Sequence, residues 1–78
     1  MFISRGEALA SAKKLVRTFA SAPDPRRQAR SIHSELAHWD GWTGPEREQI
    51  DTLGAWLADD PSLAELRPRC ERLLANLR

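Results

Sequence analysis

Proline and glycine punctuate this chain at three places, Pro23-Asp24-Pro25, Gly41-Trp42-Thr43-Gly44-Pro45 and Asp60-Pro61, and each stretch between them carries apolar residues at helical spacing. A proline lacks the N–H that a helix interior or a central strand requires, so each cluster ends one element and opens the next. No stretch shows period-2 apolar alternation bounded by turns. The chain therefore reads as all-α. At 78 residues it has room for one domain, spanning residues 1–78. Three to four short amphipathic helices joined by short loops predict a small bundle.

The first helix is predicted over Arg5–Ala20. Ser4 and Glu7 have capping-box spacing, Ile3 is placed to staple onto Ala8, and Ala8, Leu9, Ala12, Leu15, Val16 and Phe19 form one stripe. The second starts with Asp24 as cap and Pro25 in the first turn, buries Ala29, Ile32, Leu36 and Trp39, and stops near His38 or Trp39. Thr43 and Glu46 repeat the capping-box spacing for a third helix over Gly44–Ala58, with Ile50, Leu53 and Leu57 inward and Gly54 as a close-approach point. The fourth is capped either by Asp60, with Pro61 following, or by Ser62 with Glu65. Its stripe is Leu63, Leu66, Cys70, Leu73, Leu74 and Leu77. Pro68 interrupts that stripe, which predicts a kink or a short turn before a main helix from Pro68.

A core this small rarely supplies more than about 3–5 kcal/mol without a staple or an oligomer. The single cysteine, Cys70, has no intrachain partner, and this favours a reducing compartment. No apolar run is long enough for a signal peptide or a membrane span. The expectation is a cytoplasmic protein that does not engage membranes.

Two of the three tryptophans fall in the joint His38–Pro45. Trp39 has the phase of a core residue. Trp42 lies outside any stripe, and is either a cap folded over the core or an exposed anchor for a partner. Trp56 lies about 100° round the third helix from Leu57. If Trp42 and Trp56 are exposed together, they and Arg47 would form an interface patch, with Asp59 at its edge.

Charge is balanced at +1 overall but unevenly spread. The first half holds Arg5, Lys13, Lys14, Arg17, Arg26, Arg27 and Arg30 against Glu7, Asp24 and Glu35, and acidic residues outnumber basic ones in the second. Either the acidic half neutralises this basic face within the fold, or an anionic partner does. A helix-turn-helix across the second joint fits poorly, because Asp40 and Arg47 fall where that motif buries apolar residues and Glu46, Glu48 and Asp51 would repel phosphate. In the last helix, Glu65/Arg69 and Arg67/Glu71 have the i,i+4 spacing of ordinary surface pairs.

Catalysis finds little footing. His33 and His38 are five residues apart and do not share a helical face as metal ligands would, and no phosphate loop or CxxC occurs. Cys70 reads as a small buried hydrophobe. No catalytic residue, metal or cofactor is expected. The capping boxes and short loops are common to helical bundles at large and single out no family.

The leading expectation is a non-enzymatic protein–protein interaction module, an adaptor, regulator or stoichiometric inhibitor, that binds through Trp42, Trp56 and Arg47. The alternative is a nucleic-acid-binding accessory protein using the basic face of helices one and two, with Arg26, Arg27 and Arg30 at its centre. A homodimer through the tryptophan patch or through Phe2 and Ile3 is a third arrangement.

Overall fold

The computed structural model describes residues 4–77, and their elements follow the proline and glycine punctuation. Helix α1 spans Arg5–Arg17, a 3-10 turn covers Phe19–Ser21, and α2 (Pro25–Ala37), α3 (Gly44–Ala58) and α4 (Leu63–Asn76) complete the order. No strand occurs among the described residues. None of their helices is long and apolar enough to cross a membrane. The predicted roles of Phe2 and Ile3 lie outside the described residues.

The termini explain the boundaries. Ser4 Oγ accepts the Glu7 N–H at 3.2 Å, and Asp24 Oδ1 accepts the Arg27 N–H at 3.2 Å, so two helices begin on side-chain caps. At α3 the Glu46 carboxylate reaches back to the Thr43 N–H (3.2 Å) and takes the Thr43 hydroxyl as well (2.9 Å). Helix α1 ends at Arg17, three residues before the predicted Ala20. There the Thr18 hydroxyl bonds back to the carbonyls of Lys14 and Leu15, and the chain tightens into the 3-10 turn that buries Phe19. Gln28 of α2 donates to the same end, at 2.8 Å to the Leu15 carbonyl and 3.1 Å to Thr18 Oγ1.

The start of α4 resolves the predicted alternatives. Ser62 is the cap residue, although its hydroxyl makes no capping bond, and Asp60 is not a cap. Asp60 instead takes a left-handed conformation (φ 54°), which aspartate tolerates better than most residues, and turns its carboxylate to Arg26. Of the two arrangements predicted at Pro68, the short turn before a separate helix does not occur, since α4 runs through it from Leu63 to Asn76. Pro68 is exposed, and the packing of Leu66, Cys70, Leu73 and Leu74 along one face holds both sides of it in a single helix.

Helix α2 lies at the centre and packs against the other three, with Ala29, Ile32 and Leu36 fully buried. The small side chains of Ala8 and Ala12 on α1 and Ala29 on α2 suit this pair to the most extensive contact in the bundle, whereas α3 and α4 touch only sparsely. Ile50, Leu53 and Leu57 complete the core from α3, and α4 adds Leu66, Cys70, Leu73, Leu74 and Leu77. Leu63 departs from its predicted place in that stripe and is 51% exposed.

Gly54 serves the predicted close approach. A Cβ there would stand 2.5 Å from Nε2 of the half-buried His33, so the ring occupies the space an alanine would need. In a helix, Gly→Ala gains about 1 kcal/mol from propensity alone. Gly54→Ala is therefore expected to gain little in the wild type and about 1 kcal/mol more in a His33→Ala background. A double-mutant cycle by urea denaturation reads this coupling, and additivity within about 0.3 kcal/mol would mean that the ring gives way freely.

Candidate protein-docking surface

Tryptophan is large enough to fix a joint or anchor a partner, and the three here divide between those roles. Trp42 folds back over the core, 7% exposed, and its indole N–H donates to the Leu36 carbonyl at 2.7 Å near the end of α2. Trp39 meets it edge-to-face with ring centroids 4.8 Å apart. Gly41 permits that meeting, because a Cβ on it would overlap the Trp39 ring. The Arg5 guanidinium, its Cζ 5.7 Å from the Trp42 ring centroid, bonds Glu46 at 2.7 Å and donates to the Leu77 carbonyl. One side chain thus joins the start of α1, the start of α3 and the end of α4. Hydrogen bonds from the Thr43 hydroxyl and N–H, with Arg5 adding its charge, hold the Glu46 carboxyl below its ordinary range.

This geometry corrects the predicted patch of Trp42, Trp56 and Arg47. Trp42 is a core residue, and Trp56 is the thirteenth residue of α3, about 18 Å along the axis from the helix start at a rise of 1.5 Å per residue. Arg47 sits in the first turn of α3, with its guanidinium 3.5 Å from the solvent-exposed Asp40. The three side chains do not form one surface. Burying an indole is costly unless its N–H finds an acceptor, and here the acceptor belongs to the preceding helix.

The predicted basic face is also divided. Arg26 Nε, shielded from solvent, faces the Asp60 carboxylate at 2.9 Å without an aligned hydrogen bond, and its Nη2 lies 3.4 Å from the Pro61 carbonyl. Arg26 therefore fastens α2 to the α3–α4 joint, while Arg27 and Arg30 stay exposed. Two ion pairs, Arg5–Glu46 and Arg26–Asp60, join the basic half to the acidic half.

Trp56 takes the other role. It is half-buried on α3 at a groove between α3 and α4 of about 400 Å³, floored by Leu53 and Leu73. The Arg69 guanidinium of α4 lies over its indole, with Cζ 4.7 Å from the ring centroid, within the range of a cation–π contact. The predicted pair Arg67–Glu71 forms at 2.7 Å. The Glu65–Arg69 pair does not form among the described residues, and the aromatic face takes its place. Arg72 lies one turn beyond Arg69 on the same wall, opposite Glu48. Arg69 and Arg72 were not among the sequence candidates, because nothing local indicates which α4 side chains face α3.

Cys70 lies beneath this wall, fully buried. Loss of solvent pushes its thiol up to about 11, with Glu71 adding to the shift. The buried neutral thiol stabilises the fold below the ordinary thiol range. That contribution is lost as pH rises from about 9 towards 11, where the unfolded chain ionises first. At pH 8 a water-soluble disulfide reagent is expected to label Cys70 only as the protein unfolds in urea. Rapid labelling of the native protein would show that the α4 stripe opens locally.

No family model, curated protein or solved structure matches the chain.

Proposed function

We propose that this protein is a small non-enzymatic interaction module, acting in the cytoplasm as an adaptor, regulator or stoichiometric inhibitor of another protein, and that it docks its partner in the α3–α4 groove. The observation that supports this reading is Trp56, half-buried at the groove with the Arg69 guanidinium over its indole. Tryptophan and arginine are the residues most enriched at interface hot spots, where a pre-ordered side chain loses little entropy on binding. The loose α3–α4 packing leaves this face open. Nucleic-acid binding through the basic face of α1 and α2 is the weaker reading, since Asp60 engages Arg26 and the chain carries only +1.

The test is capture from a lysate of the source cell with wild-type and Trp56→Ala baits, each with and without nuclease. Trp56→Ala is expected to retain its helical circular dichroism, because the side chain is only half-buried, and to lose the captured protein at least tenfold. A partner held equally by both baits, or lost on nuclease treatment, would overturn the reading.

A further inference from the structure

We propose that the segment this groove receives is acidic, with an apolar side chain for the Leu53–Leu73 floor and an Asp or Glu within one helical turn of it for Arg69 and Arg72. The proposal rests on the docking reading above and specifies the partner's chemistry.

Charge is what selects this occupant. Arg69 and Arg72 stand at i,i+3 on one face of α4, a spacing at which like charges destabilise a helix. Among the described residues neither has a carboxylate within ion-pair distance. Glu65 stands at the right spacing to neutralise Arg69, yet the guanidinium lies over Trp56 instead. Glu71, the neighbour of Arg72, is taken by Arg67 at 2.7 Å. The Arg69 guanidinium is thus held at an apolar floor with Arg72 on the same wall, and among the described residues neither forms an ion pair, Glu48 across the groove included. The contact with the indole orients the Arg69 guanidinium, and its N–H donors, which lie in the plane of the guanidinium itself, suit the two parallel bonds with which arginine grips a carboxylate. A groove of about 400 Å³ has room for one or two side chains of leucine or phenylalanine size. The opposite wall argues against a polyphosphate chain, since Glu48 faces the same groove and would repel a continuous run of anions.

The experiment is a random 16-residue peptide display library selected against the full chain. The most enriched peptide is synthesised and titrated by calorimetry into wild type, Trp56→Ala, the double variant Arg69→Glu/Arg72→Glu, and Arg27→Glu/Arg30→Glu as a surface-charge control. Circular dichroism melts establish that each variant is folded. Enriched peptides are expected to share Leu, Phe or Trp with Asp or Glu within four positions. Their Kd should rise at least tenfold with Trp56→Ala and with the Arg69/Arg72 reversal, and change less than twofold in the control. Peptides that require Trp56 but carry no acidic residue, or that bind the reversal variant unchanged, would overturn the acidic preference and leave the docking groove standing. Selection that yields no Trp56-dependent peptide would overturn both. A twelve-residue oligothymidine titrated in parallel is expected not to bind, and Arg69/Arg72-dependent binding of it would overturn the proposal in favour of nucleic acid.

Discussion

Trp42→Ala is expected to leave a chain that is largely unfolded at 25 °C, with lost helical circular dichroism and no cooperative melt. Truncating a buried tryptophan typically costs about 3–5 kcal/mol, comparable to the whole stability of a domain this small. At this position the loss includes the hydrogen bond to the Leu36 carbonyl, the edge contact with Trp39 and the surface beneath Arg5. Trp42→Phe keeps most of the bulk but removes the donor, and should lower stability by about 1 kcal/mol. Thermal melts followed at 222 nm read both. A Trp42→Ala protein that melts within a few degrees of wild type would show that the indole does not lock the joint. Loss of a partner in Trp42→Ala would report unfolding, whereas Trp56 can be removed with the core intact.

Pro68→Ala is expected to act in the opposite direction and raise the melting temperature by about 8–21 °C. Proline in a helix interior is about 3 kcal/mol less favourable than alanine, and here the bond to the Ala64 carbonyl is missing. Proline returns about 0.4–1 kcal/mol by restricting the unfolded chain, so the net gain on replacement is about 2–2.6 kcal/mol. At 4–8 °C per kcal/mol for a domain of this size, differential scanning calorimetry resolves it readily. Because Pro68 is exposed, the substitution creates no cavity. A lower melting temperature would mean that α4 needs the bend of the proline ring to set Leu66 and Leu73 against the core.

Helix boundaries were the legible part of this chain. Asp24 with Pro25, and Thr43 with Glu46, place the starts of α2 and α3 because capping is a contact between residues three apart. Such contacts can be read without knowing where the rest of the chain goes. The buried stripes Ala29–Ile32–Leu36 and Ile50–Leu53–Leu57 follow from helical periodicity alone. The errors begin where a partner distant in sequence decides. Asp60 has the spacing of a cap, but Arg26, 34 residues earlier, takes its carboxylate. Pro68 allows a short turn between two helices, but the apolar face on both sides of it is buried in one piece.

The candidate site shows the same division more sharply. The residue types at the second joint announce that tryptophan matters there, and the 3.6-residue period puts Trp56 on a flank of α3. Neither shows which indole is covered. Trp42 went inward because α2 ends with a carbonyl within reach of its N–H and because Arg5, brought round by α1, closes over it. Trp56 stayed half-open because α4 touches α3 only sparsely and sends Arg69 across to its indole. The sequence by itself determined the four helices, the starts of α1, α2 and α3 and the buried stripes of α2 and α3, since these depend on neighbours within one or two turns. Only the tertiary structure decided which tryptophan became core, which arginines were neutralised and which groove stayed open, because each depends on side chains meeting across elements whose packing no local pattern records.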